Sequence, residues 1–103
     1  MMKITDLPSE IRLHIIPHFQ ISSIWIFGSA IRDDYSNDSD IDLVVEFMPG
    51  ARITLLTLAS LQTDLEKVLG RKVDLITRKA IDDFMNPIMR HEVLSTMVRI
   101  YGS

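Results

Sequence analysis

Two strand-like stretches joined by a polar loop, with carboxylates where the loop ends, restrict this chain more than any other feature. Ile21 to Phe27 is β-branched and aromatic and carries no charge, as expected of a strand covered on both faces, and Gly28 punctuates its end. From Asp33 to Asp40 the sequence Asp-Asp-Tyr-Ser-Asn-Asp-Ser-Asp is dense in residues that favour turns, and Ile41 to Phe47 returns to a strand composition. The chain must therefore place the residues just after one strand near those that begin the next.

The flanking sequence supplies the layers such a unit needs. Pro8 followed by Ser9 to Ile16 reads as a short amphipathic helix, ended or kinked at Pro17. Met48-Pro49-Gly50 breaks the second strand. Ile53, Leu56, Leu58, Leu61, Leu65, Val68 and Leu69 then recur at mostly helical intervals up to Gly70, a well-placed helix terminator. Val73 to Thr77 is a third short strand, and Lys79 to Met85 and Pro87 to Ile100 read as helices. Strands and helices that alternate in this order predict one α/β or α+β domain over residues 1–103, a small sheet of three or more strands flanked by helices. A length of 103 residues leaves little room for a second core.

Asp40 and Asp42 stand two apart at the start of a strand, so both carboxylates project from one face while Ile41 and Leu43 project from the other. That spacing suits a shared divalent cation, since magnesium takes oxygen ligands, commonly one or two carboxylates with water and substrate phosphate completing the shell. Gly28 lets the backbone approach a phosphate without an intervening side chain, and Ser29, if it opens a helical turn, offers both amide and hydroxyl to an anion. Arg32, three residues on, lies on about the same side of such a turn and is a candidate phosphate contact. Asp74 interrupts the otherwise apolar strand Val73 to Ile76. An unpaired buried acid is costly there, and a metal shared with Asp40 and Asp42 would partner it.

Each of these residues has a plainer role to set beside the chemical one. Asp74 is also placed to pair with Arg71 or Lys72 at a strand edge, and Arg32 with Asp33, Asp34 or Asp38 as surface ion pairs. Glu46 shares a strand face with Asp42, but four residues place it roughly 13 Å away, beyond the same ion. His14 and His18 have the spacing of a helical zinc pair, yet Pro17 intervenes and no Glu follows His14 as a metalloprotease motif requires. His91 reads as a surface residue, and Trp25 and the six methionines as core or interface.

Gly28-Ser29-Ala30-Ile31-Arg32 with Ser39-Asp40-Ile41-Asp42-Leu43-Val44-Val45 resembles the signature of the polymerase-β-like nucleotidyltransferase superfamily, and specifically of its minimal nucleotidyltransferase (MNT) branch. The resemblance covers most of the chain, with Asp33 where the family often has glycine. It implies that Gly28 and Ser29 hold a triphosphate, that Asp40 and Asp42 bind Mg2+, and that Asp74 completes a triad of acids. It also implies a partner. MNT proteins of this length resemble antitoxins whose toxin is an all-helical HEPN ribonuclease, and members transfer AMP from ATP to a tyrosine of that toxin. Larger relatives carry an added domain for the acceptor, and this chain has no residues to build one, so its acceptor is expected to be another protein.

Composition agrees with a soluble, cytoplasmic enzyme acting on a small charged ligand. Eleven basic against fourteen acidic residues leave a net charge of −3, which disfavours nonspecific binding to a nucleic-acid backbone. Cysteine is absent, excluding disulfides and thiolate metal sites, and no apolar run approaches the roughly 18 residues of a membrane span. The first residues lack the layout of a secretory signal, and no Walker-type Gly-x-x-x-x-Gly-Lys sequence is present. Two rival functions fit the same residues: a non-catalytic antitoxin that silences its toxin by binding, and a nucleotidyltransferase that modifies a small molecule such as an antibiotic.

Overall fold

The structure, a computed structural model, describes residues 7–27 and 41–102. The apolar runs expected for the strands produce β1 (Ile21–Phe27), β2 (Ile41–Phe47) and β3 (Val73–Thr77) at the expected bounds. The helix ended by Gly70 is α2 (Leu55–Leu69). Its start is set by a reciprocal cap in which the Thr57 amide donates to Thr54 Oγ1 at 3.1 Å and the Thr54 amide to Thr57 Oγ1 at 3.3 Å. Its end is set by Gly70, left-handed at φ 68°, whose amide donates to the Glu66 carbonyl at 2.8 Å.

One expectation is narrowed and one needs correction. Of the two outcomes expected at Pro17, an end to the helix does not occur: a π-helical turn, Ile11–Ile15, runs directly into α1 (Ile16–Phe19). Proline falls in the first turn of α1, where its missing N–H breaks no bond of that helix, and the chain leaves the helix only at left-handed Gln20. The last helix is also shorter than expected. After α3 (Arg78–Phe84), α4 (Pro87–Thr96) ends before extended Met97, and Val98–Tyr101 form a further strand, β4. Val98, Ile100 and Tyr101 are strand formers next to the open hydrogen-bonding edge of β1, and that pairing overrides the helical spacing that leads into them.

The sheet runs in the order β3-β2-β1-β4. β1 pairs antiparallel with β2 and β4, whereas β2 and β3 are parallel and joined through α2. Both faces are covered, which is why β1 and β2 read as nearly continuous apolar runs. On one face Ile24, Ile26, Ile41, Leu43, Val45 and Val73 pack with Ile11, Ile15, Ile16 and Phe19 and with Leu61 and Leu65 of α2. On the other, Trp25 and Val44 pack with Ile81 of α3 and Val93 of α4.

Gly102 locks the end of β4 onto β1. Its φ is +102°, and a Cβ there would collide with the Ser22 carbonyl oxygen and Ser23 Oγ and lie 2.8 Å from the Ser23 Cα. Gly50 has a φ of +88° but open space around it. Gly102→Ala is therefore expected to destabilise the domain by about 2 kcal/mol or more, strain plus backbone collision, and Gly50→Ala by about 1 kcal/mol from strain alone, as read from urea denaturation midpoints.

Candidate active site

The sheet brings three residues into line at one end. Phe27, the last residue of β1, is in register with Asp42 on β2, and Asp42 is in register with Asp74 on the parallel strand β3. Their side chains share a face. Ile41 and Leu43 point to the α1 and α2 side, so Asp42 between them points with Val44 to the α3 and α4 side. Asp74 does the same between buried Val73 and Leu75, on the side where Ile76 packs with Val44. Adjacent strands lie about 4.8 Å apart, so this register holds two carboxylates within reach of one ion.

Asp42 is half-buried, and Asp74 is exposed. The expectation that Asp74 needs a partner because it is buried is thus incorrect: β3 is an edge strand, and water reaches its carboxylate. What brings Asp74 to the site is its register with Asp42. Pairing with Arg71 or Lys72 does not occur among the described residues, whose ion pairs Arg78–Asp82 (3.4 Å) and Lys79–Asp83 (3.1 Å) lie beyond the other end of β3.

Gly28, Ser29, Arg32 and Asp40 lie outside the described residues. Their sequence neighbours place the chain ends they extend: Phe27 precedes Gly28, and Ile41, which follows Asp40, donates its amide to the Lys72 carbonyl at 2.9 Å. The strand ends flanking that segment therefore meet at Asp42 and Asp74. Among the described residues no group of three or more acidic, histidine or cysteine side chains is close enough to hold a metal. As hard oxygen donors, one of them solvent-accessible, Asp42 and Asp74 fit a magnesium ion that keeps water and phosphate in its shell.

Other candidates fall away from this end. His14, His18 and His91 are exposed, and the His18 ring stacks edge-on against Phe19. Glu46 is exposed at the far end of β2 and lines a concavity of about 680 Å³ with Phe47, Met48, Arg78 and Lys79. That concavity includes neither Asp42 nor Asp74. Trp25 is core, as expected, with the guanidinium carbons of Arg78 and Arg99 6.0 and 5.7 Å from its ring centre.

Residues 9–101 match the family model of the nucleotidyltransferase domain. The chain belongs to that family. A Methanocaldococcus jannaschii relative provisionally named a protein adenylyltransferase is 36% identical over 95 residues, which cover 89% of this chain and 96% of the relative. The protein adenylyltransferase MntA of Thermococcus cleftensis is 28% identical over 99 residues, covering 91% of this chain and 96% of that protein. Among solved structures, a protein provisionally described as a minimal nucleotidyltransferase is 32% identical with a TM-score of 0.64 over 86% of this chain and 85% of its own. A toxin–antitoxin structure with AMP-PNP superposes with a TM-score of 0.69 at 18% identity, over 94% of this chain and 75% of that one, and supports the same mixed fold. This nucleotidyltransferase domain is accordingly an enzyme by family, and its Asp42 and Asp74 stand on neighbouring strands at one sheet end.

Two like charges directly across a ladder destabilise it by about 0.2–1 kcal/mol relative to a neutral pair. Asp74→Asn is therefore expected to raise the stability of the metal-free domain by that amount in low salt, with a smaller gain in molar salt, where the Debye length falls to about 3 Å. Urea midpoints of the two proteins at two salt concentrations check this.

Proposed function

We propose that the chain is a magnesium-dependent protein adenylyltransferase that moves AMP from ATP to a tyrosine of a cognate HEPN ribonuclease toxin and so neutralises it. The observation that carries this reading is the in-register pair Asp42 and Asp74 on one sheet face, beside the strand end that leads into Gly28-Ser29. Support for the acceptor comes from the relatives. One similar solved structure is of a tri-AMPylated Shewanella oneidensis HEPN toxin in complex with its MNT antitoxin, at 20% identity and a TM-score of 0.61. Support for the donor comes from the toxin–antitoxin structure with AMP-PNP.

In this reading Asp40, Asp42 and Asp74 hold magnesium, and Gly28 and Ser29, with Arg32, hold the outer phosphates. The ion neutralises charge on the triphosphate and lowers the barrier to displacement at the α-phosphorus. The tyrosine oxygen attacks that phosphorus, the bond to the β-phosphate oxygen breaks, and pyrophosphate leaves. Asp74, the exposed acid, is the carboxylate accessible to an incoming protein and accepts the tyrosine proton. Burial of Asp42 against the strands keeps the other carboxylate in a fixed position.

With the toxin, magnesium and ATP labelled at either the α- or the γ-phosphate, α label alone is expected to reach the toxin. Asp42→Asn is expected to lower the transfer rate by roughly 10²–10⁴-fold with the fold intact. Toxin silenced without α label, and equally well by Asp42→Asn, would show inhibition by binding. Label on a small molecule with no partner present would move the acceptor away from protein altogether.

A further inference from the structure

β3 is an edge strand, yet the outward backbone groups of its first residue, Val73, are both bonded. Along a strand the backbone N–H and C=O of successive residues turn alternately to opposite edges. The Lys72 carbonyl faces β2 and accepts from Ile41, so the N–H and C=O of Val73 face away from the sheet, where no strand follows. Two side chains of α2 take the place of that strand. The Val73 amide donates to Glu66 Oε2 at 2.8 Å, and Gln62 Nε2 donates to the Val73 carbonyl at 2.8 Å. Gln62 and Glu66 are four residues apart and so lie on one face of the helix.

The clamp is local to the active-site end. Among the described residues no side chain bonds the backbone of Leu75, the next residue with the same orientation. Glu66 also accepts the Gly70 amide through its own carbonyl, so one residue ties the end of α2, the turn and the start of β3 together. A carboxylate acceptor makes the stronger, charge-assisted kind of bond. The residue held this way has a fully buried side chain, and Asp74 is the next one along. Asp74 is exposed and has no packing of its own to fix it, so the backbone that carries it decides where its carboxylate points.

We infer that Gln62 and Glu66 are positioning residues that hold the backbone of Val73 and thereby set Asp74 opposite Asp42. The inference rests on the proposed role of Asp74 in nucleotidyl transfer. Their side chains bond the Val73 backbone rather than Asp42 or Asp74, so both act through β3.

The variants are Gln62→Ala, Glu66→Ala and Glu66→Gln, with Lys67→Ala on the exposed side of the same helix as the control. In transfer of α label from ATP, the two alanine variants are expected to lower kcat about ten- to hundredfold with the KM for ATP changed less than about twofold, as for loss of a group that orients a ligating side chain. Glu66→Gln, which keeps an acceptor oxygen, should recover most of the rate. A merely structural role would lower the melting temperature with kcat unchanged below it. NMR of the free chain, with neither metal nor nucleotide, supplies a readout separate from activity. Gln62→Ala and Glu66→Ala should lose hydrogen-exchange protection at the Val73 amide and shift the Asp74 carboxyl carbon, while the Trp25 indole resonance stays in place. Should one alanine variant fail to fold, the other together with Glu66→Gln gives the same comparison. Unchanged Asp74 and Val73 signals, or full kcat in the alanine variants while Asp74→Ala is inactive, overturn the inference. A wild-type chain that transfers no nucleotide refutes the proposed function instead, and the NMR comparison then decides the positioning alone.

Discussion

The parallel pairing of β2 with β3 is the constraint on which the site depends. Only this register sets Asp42 against Asp74, and a slip of one residue would turn Asp74 to the opposite face, among Leu61 and Leu65, where a carboxylate is unaffordable. The apolar residues on either side enforce it. Val73 and Leu75 belong under α2, Ile76 belongs beside Val44 under α3, and a slip would exchange the two sets. Packing of α2 is thus the means by which chemistry at the sheet end is specified, and the Gln62 and Glu66 bonds to Val73 extend the same control to the outer edge of the strand.

The two ends of the sheet differ in kind. At the end holding Asp42 and Asp74, strands β2 and β3 begin, β1 finishes, and an exposed carboxylate faces solvent. At the other end lies a concavity lined by Glu46, Phe47, Met48 and the Arg78–Asp82 and Lys79–Asp83 pairs. Two acids in register give up stability at the end where chemistry is proposed, whereas ion pairs on a surface contribute little.

Much of this was legible in the chain before its structure. β1 and β2 were readable because a strand covered on both faces has no polar phase to confuse its limits, β3 because Val73, Leu75 and Ile76 make a short apolar run, and α2 because a long apolar period ends at Gly70. β4 was not, since Val98-Arg99-Ile100-Tyr101 after a helix is too short to carry a period of its own and is decided by the free edge of β1. Asp74 was found for an incorrect reason: an acid among apolar neighbours suggests burial, but an edge strand leaves it wet. Gln62 and Glu66 carried no sequence signal, because polar residues on an amphipathic helix ordinarily face water, and only the outward-turned backbone of Val73 gives them a task. Gly28, Ser29, Arg32 and Asp40 were identified by motif and lie outside the described residues.

In the proposed function Asp42 and Asp74 form one metal and triphosphate site at this sheet end. A crystal structure of the chain with manganese and a non-hydrolysable ATP analogue is the sharpest test. An anomalous peak is expected between the two carboxylates, with the α-phosphate beside it and the outer phosphates against Gly28 and Ser29. A nucleotide seated in the concavity near Phe47 and Arg78, with no metal at Asp42 and Asp74, would contradict it.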